Sequence, residues 1–290
     1  MDQRRLALIR SGGVDKYRCV GTGYLIAPRL VLTARHVVVD KSSGEPWSKI
    51  NVQVGHPRDS DASPRRATVL WTHAQGRDVA LLRLGDPIEV SGTVKWGRPV
   101  GSAPLRYQGL GYPLATVKEG QRSVEHLRGV LPPLAGGADA RDLYVLDQDP
   151  APGKPADGKR AWSGASGSAV FCEGHLVGVV IHDDDAFDNR RLHACPVHSF
   201  ADDPYFVDLL QEYGACSPQL IDISAAPSSE ESADSGQAVR FGRPPAARTL
   251  TQAEEELLRP LWALLEDPSL RVAHARPLVQ RLGYLVPADY

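Results

Sequence analysis

Apolar positions in the first 213 residues fall into short runs divided by Gly, Pro, Asp and Ser. GTGYLIAPRLVLTARHVVV, beginning at Gly21, splits into two apolar stretches around Ala27-Pro28-Arg29, which predicts a hairpin. INVQVG, ATVLWTHA, DVALLRL, YQGLGYP, LYVLDQD, SAVFCEGHLVGVVIH and LHACPV follow at strand-like lengths. Many short strands with little helical periodicity predict an all-β protein, a sandwich or a barrel. DDPYFVDLLQEYG is different. Its Phe206, Leu209, Leu210 and Tyr213 recur at helical spacing, so one helix is expected to close the region.

Beyond it the pattern fades. SAAPSSEESADSGQAVRFGRPPAAR, residues 224–248, has too few large apolar side chains to offset the entropy of ordering the chain. The expected organisation is a folded domain over 1–213, a largely disordered linker over 214–248 and a helical tail over 249–290. In the tail, Thr251 and Glu254 form a capping box ahead of Leu257, Leu258, Leu261, Trp262 and Leu265. A second helix follows Asp267-Pro268 through Val272, Leu278, Val279 and Leu282.

Composition narrows the function classes. The 290 residues are 42% hydrophobic and carry a net charge of −2 with both signs interspersed, which argues against a nucleic-acid-binding surface. No stretch approaches the ~20 apolar residues of a membrane helix. The run Leu6 to Ile9 is shorter than the roughly 7–15 apolar residues of a secretory signal, so a cytoplasmic protein without a membrane partner is expected. Cys19, Cys172, Cys195 and Cys216 are then expected as reduced thiols. His193, Cys195 and His198 raise zinc as an alternative, but their spacing is not a paired-knuckle pattern and a strand with alternating faces would separate some of these side chains. No metal and no organic cofactor is expected.

Three segments carry candidate chemistry: LTARHVV around His36, GRDVALLRL around Asp78 and SGASGSAVF around Ser166. Hydrolysing a peptide bond near neutral pH needs an activated nucleophile, a base for its proton and a group that fixes the base's tautomer. It also needs donors aimed at the developing oxyanion. Glycines on both sides of Ser166 permit a tight turn in which the N–H groups of Gly164 and Ser166 converge on one point. An α/β-hydrolase elbow reads G-x-S-x-G and precedes its acid and histidine; here Ser168 takes the last glycine position and the histidine comes first.

In these segments the chain resembles the trypsin-like serine peptidases. Thr33-Ala34-Arg35-His36 matches T-A-x-H, Asp78 to Leu84 matches D-[IV]-A-L-L-x-L, and Gly164 to Ser168 matches G-x-S-G-[GS]. The order His, Asp, Ser and the separations of 42 and 88 residues match as well. Across residues 5 to 212 the resemblance implies two packed six-stranded antiparallel Greek-key barrels with a His36–Asp78–Ser166 triad between them, acting as an endopeptidase on protein or peptide substrates. A catalytically silent barrel that binds protein segments is the alternative.

The chain departs from this family in places. Ala165 stands where the digestive members have an aspartate that pairs with a released N-terminus, Val37 replaces a bracing cysteine, and Cys172 finds no clear partner in the Tyr107–Pro113 region. Ile181 stands where a serine usually supports the catalytic aspartate, so that support must come from elsewhere. If loop lengths match, Arg160 lies near the base of the primary substrate pocket and would favour an acidic side chain. Asp183, by the pocket wall, would favour a basic one, and His182 is a further candidate for substrate contact. LTQAEEELLRPLWALLEDPSLRVAHARPLVQRLG, from Leu250, resembles the opening of effector-associated domains of bacterial conflict systems. That resemblance implies a protein partner docking through residues 249–290. Arg far outnumbers Lys, as in GC-rich bacteria.

Overall fold

A computed structural model describes residues 1–55, 63–74, 76–118, 121–133, 142–152, 160–184 and 187–225. The first half holds β1 (Leu6–Gly12), β2 (Tyr17–Ala27), β3 (Leu30–Thr33), a single helical turn α1 (Arg35–Val38), β4 (Lys49–Val54), β5 (Arg65–Thr72) and β6 (Ala80–Leu84). These strands close into an antiparallel barrel in the order β1-β2-β3-β6-β5-β4. The second half holds β7 (Trp96–Pro99), β8 (Leu105–Gly111), β9 (Val117–Lys118), β10 (Gln121–Arg122), β11 (Glu125–Leu131) and β12 (Tyr144–Gln148). It continues with β13 (Ala169–Cys172), β14 (His175–Asp183), β15 (Arg191–Pro196), α2 (Pro204–Glu212) and β16 (Leu220–Ile223). Strands β13-β8-β11-β12-β15-β14 close on themselves through the β13–β14 pairing, giving a second six-stranded antiparallel barrel; β7 and β16 extend it as a parallel pair. The double barrel implied by the sequence resemblance is the fold found.

Strand alternation explains both barrels and the seam between them. In β4 the burial alternates residue by residue, as expected of a strand with one face in the core. β1 instead is buried almost throughout. Its Ala7 and Ile9 enter the first core, while Leu6 and Leu8, on the opposite face, pack with Leu110 and Tyr112 of the second barrel. The run Leu6 to Ile9 is therefore a strand covered on both sides, which its contiguous apolar letters did not distinguish from other short apolar runs.

The expected closing helix is α2. Pro204 sits in its first turn and the Asp203 carboxylate accepts from the Phe206 N–H at 3.0 Å, a standard start. Phe206 is fully buried against the rings of Trp71, Phe200 and Trp96, with the Trp71 centroid 4.9 Å away. Truncation there leaves a cavity among aromatic rings, so Phe206→Ala is expected to cost about 3–5 kcal/mol of unfolding free energy, read from urea denaturation midpoints.

Ordered structure continues past Tyr213. Leu220–Ile223 form β16 on the edge of β7, and Arg98 and Asp222 pair across it at 2.8 Å. A strand, Leu220–Ile223, thus lies within the span assigned to a linker. The rest of that linker and the helical tail over 249–290 lie outside the described residues. Among the described residues no helix is long and apolar enough to cross a membrane.

Candidate active site

His36, Asp78 and Ser166 line one cavity of about 540 Å³, together with Gly164, Arg160, His182 and Asp183. The first barrel supplies His36 from α1, directly after β3, and Asp78 from the turn before β6; β3 and β6 pair in register, Thr33 opposite Ala80, which brings the two side chains together. His36 Nδ1 lies 2.6 Å from Asp78 Oδ2, and the His36 backbone N–H donates to Asp78 Oδ1 at 2.9 Å. Both carboxylate oxygens are therefore bound by the same histidine. Burial alone would raise the Asp78 carboxyl, but the His36 hydrogen bonds and the nearby His36 and Lys41 charges outweigh it and hold the group below the usual carboxylate range.

The second barrel supplies the loop that carries Ser166. Ala165 N–H donates to Trp162 C=O at 2.8 Å, and Gly164 between them has φ +99°, the pattern of a type II turn with glycine at its third position. Ala165, Gly167 and Ser168 N–H groups all bond to backbone carbonyls, whereas those of Gly164 and Ser166 have no acceptor among the described residues. The Ser166 hydroxyl donates to the Ile181 carbonyl at 3.1 Å rather than to His36.

Thr22 of β2 fastens this loop to the first barrel. Its hydroxyl donates to Gly164 C=O at 2.7 Å and accepts from Tyr112 N–H at 3.0 Å, while its own N–H donates to Ser166 C=O at 2.8 Å. Thr33 Oγ1 in turn donates to Thr22 C=O at 2.7 Å. Gly167 has φ +91°, and a Cβ there would meet that carbonyl oxygen at 1.8 Å. Gly167→Ala adds backbone strain of about 1–3 kcal/mol before the clash is relieved. It is expected to lower the urea midpoint and to weaken any reactivity of Ser166 together.

Arg160 and Asp183, which argued for opposite substrate preferences, pair with each other at 3.2 Å, Asp183 being the buried member. His182 Nε2 lies 2.8 Å from His193 Nδ1, so one ring N–H donates a hydrogen bond to the other ring's bare nitrogen. All three candidates border the cavity, and the ion pair balances the two charges that had suggested a preference. The residues behind the zinc alternative have separate partners: His193 meets His182, His198 meets Tyr144 at 3.1 Å, and Cys195 lies by Ser199. Burial pushes the Cys172 thiol up to about 12 and that of Cys195 up to about 11. All four cysteines are unpaired.

Sequence reading missed Thr22 and Arg122, which bind the loop backbone. Neither belongs to a motif, and their partners lie 142 and 41 residues away.

Two closed barrels with a histidine–aspartate pair and a glycine-flanked serine in a shared cavity define the class of double-barrel serine peptidase folds. The trypsin-like peptidase domain model matches residues 21–179, and the chain belongs to that family. Among solved structures, a Glu endopeptidase is similar at 18% identity and TM-score 0.53, covering 72% of this chain and 90% of that one. A thermostable serine protease from an extremophilic microorganism is similar at 15% identity and TM-score 0.50, covering 67% and 92%. The active form of an M. tuberculosis protease matches at 21% identity and TM-score 0.48, covering 75% and 84%. Comparison with curated proteins gave no match.

Proposed function

We propose that the protein is a serine endopeptidase acting on protein or peptide substrates through an acyl-enzyme at Ser166. The observation that carries this reading is the doubly bonded His36–Asp78 pair in the same cavity as Ser166 and two amides that have no acceptor among the described residues. With its Nδ1 proton held by Asp78, the His36 imidazole presents Nε2 as a base. Ser166 Oγ attacks the scissile carbonyl carbon as its proton passes to Nε2. The carbonyl oxygen becomes an oxyanion and takes hydrogen bonds from the Gly164 and Ser166 amides. Collapse breaks the C–N bond, and the proton on Nε2 leaves with the amine. Water then repeats the sequence on the ester, releasing the acid and restoring Ser166.

For the first step the hydroxyl must leave the Ile181 carbonyl and turn to Nε2. Catalytic hydrogen bonds are often long or misaligned without substrate and tighten in the Michaelis complex. The same orientation also favours a second reading, a silent member of the family that binds protein segments in the cleft. A fluorophosphonate separates the two. Adduct formation mapped to the peptide containing Ser166 is expected; native protein that stays unlabelled over long incubation supports the silent module instead.

A further inference from the structure

The Trp162–Ala165 turn has two available states. Types I and II share the bond from the fourth residue's N–H to the first residue's carbonyl and differ by a flip of the central peptide. Here that peptide is Ser163–Gly164. Because a trans peptide points its C=O and N–H in opposite directions, the flip decides what faces the cleft. In one state it is the Gly164 N–H, a donor for an oxyanion; in the other it is the Ser163 carbonyl, which would repel one. Glycine at the third position accepts either state. Ala165 carries no charge to bias the choice and is buried among apolar side chains.

The bias comes from another loop. Arg122 lies on β10, which pairs with β9 in a two-residue ladder, Gln121 opposite Lys118 and Arg122 opposite Val117. Its Nη1 donates to Ser163 C=O at 2.5 Å and to Tyr112 C=O at 2.8 Å. The guanidinium lies so close to Gly164 that a Cβ there would fall 2.4 Å from Nη1, so only glycine admits it. The ladder's base is tied to the nucleophile loop by Ala115 N–H donating to Ala161 C=O at 3.0 Å, and to its own exit by Thr116 Oγ1 donating to Ser123 C=O at 2.7 Å. A charged donor on a carbonyl is worth roughly twice a neutral one.

We propose that Arg122 is the positioning residue of the oxyanion site: by holding the Ser163 carbonyl away from the cleft, it keeps the Gly164 amide pointed into it. The assignment rests on the peptidase reading. Arg122 touches no reacting atom and acts only through the Ser163–Gly164 peptide.

The test follows fluorophosphonate labelling of Ser166 under saturating conditions, because oxyanion character develops on the phosphonyl oxygen during that step. For Arg122→Ala the maximal labelling rate is expected to fall about 10²–10³-fold, the usual loss for one oxyanion donor. The half-saturating concentration should stay near native. Arg122→Lys should fall between, since an ammonium can serve one carbonyl but lacks the planar fork. Low guanidinium chloride, against sodium chloride at equal ionic strength, should recover part of the rate in Arg122→Ala and none in Gly167→Ala. Folded Arg122→Ala that labels within about threefold of the native maximal rate overturns the proposal, as does a loss confined to half-saturation. If Arg122→Ala does not fold, Arg122→Gln, which also lacks the charge, is judged by the same criteria. Native protein that never labels removes the peptidase reading and this assignment together; native labelling with an insensitive Arg122 removes this assignment alone.

Discussion

Ser166→Ala is expected to lower turnover of a protein substrate such as casein by about 10⁶-fold, the loss seen when a triad nucleophile is removed. The substitution takes away one oxygen from a side chain whose hydrogen bond goes to the Ile181 carbonyl, so folding should be little affected. The Thr22 and Val180 backbone contacts that shape the loop remain. His36→Ala should lose about as much, because nucleophile and base act as a unit and their losses do not add. Initial-rate assays on both variants, with circular dichroism to confirm folding, check this. A Ser166→Ala protein that retained a tenth of native turnover would remove Ser166 from the chemistry.

Asp78→Asn should cost about 10⁴ in kcat, and the geometry says why. The His36 backbone N–H needs an acceptor, and in the native protein Asp78 Oδ1 provides it at 2.9 Å. An asparagine in this place turns its only oxygen to that N–H and its NH₂ group to His36 Nδ1. Nδ1 then has to accept, the ring proton moves to Nε2, and the base has nowhere to receive the Ser166 proton. Stability should change with a definite sign. The folded Asp78 pKa lies below its unfolded value of about 3.9, so its contribution is complete above that pH and is lost as pH falls through the folded value. The difference in urea midpoint between native and Asp78→Asn proteins should therefore be widest near neutrality and narrow below about pH 4. A gap that widened on acidification would contradict the assigned role of the carboxylate.

The candidate site was legible in the sequence because each candidate residue sits in a short string fixed by local backbone needs: a strand end before His36, a strand start after Asp78, and a glycine turn around Ser166. What joins these strings was not. Thr22 is one polar residue between two glycines in an apolar run, and only the meeting of β2 with the Ser166 loop gives its hydroxyl a task. Arg122 reads as one more exposed cation until the two-residue ladder carries it to Ser163. Arg160 and Asp183 show the converse. Each was visible as a candidate, but reading them separately gave opposite preferences because their mutual distance is a property of the fold. β16 escaped because three apolar residues inside a Ser- and Pro-rich tract carry too weak a period to stand out, and its pairing with β7 depends on a strand over 100 residues earlier.

Thr22 also has a consequence for how the molecule would fail. One residue of the N-terminal barrel grips the backbone of a loop that belongs to the C-terminal barrel by hydrogen bonds, and the four free cysteines add no disulfide to that grip. A small slip between the halves would shift Ser166 relative to His36 and Asp78 while every strand stayed paired. Mild heat or low denaturant should accordingly silence the protein while its far-ultraviolet spectrum still looks native.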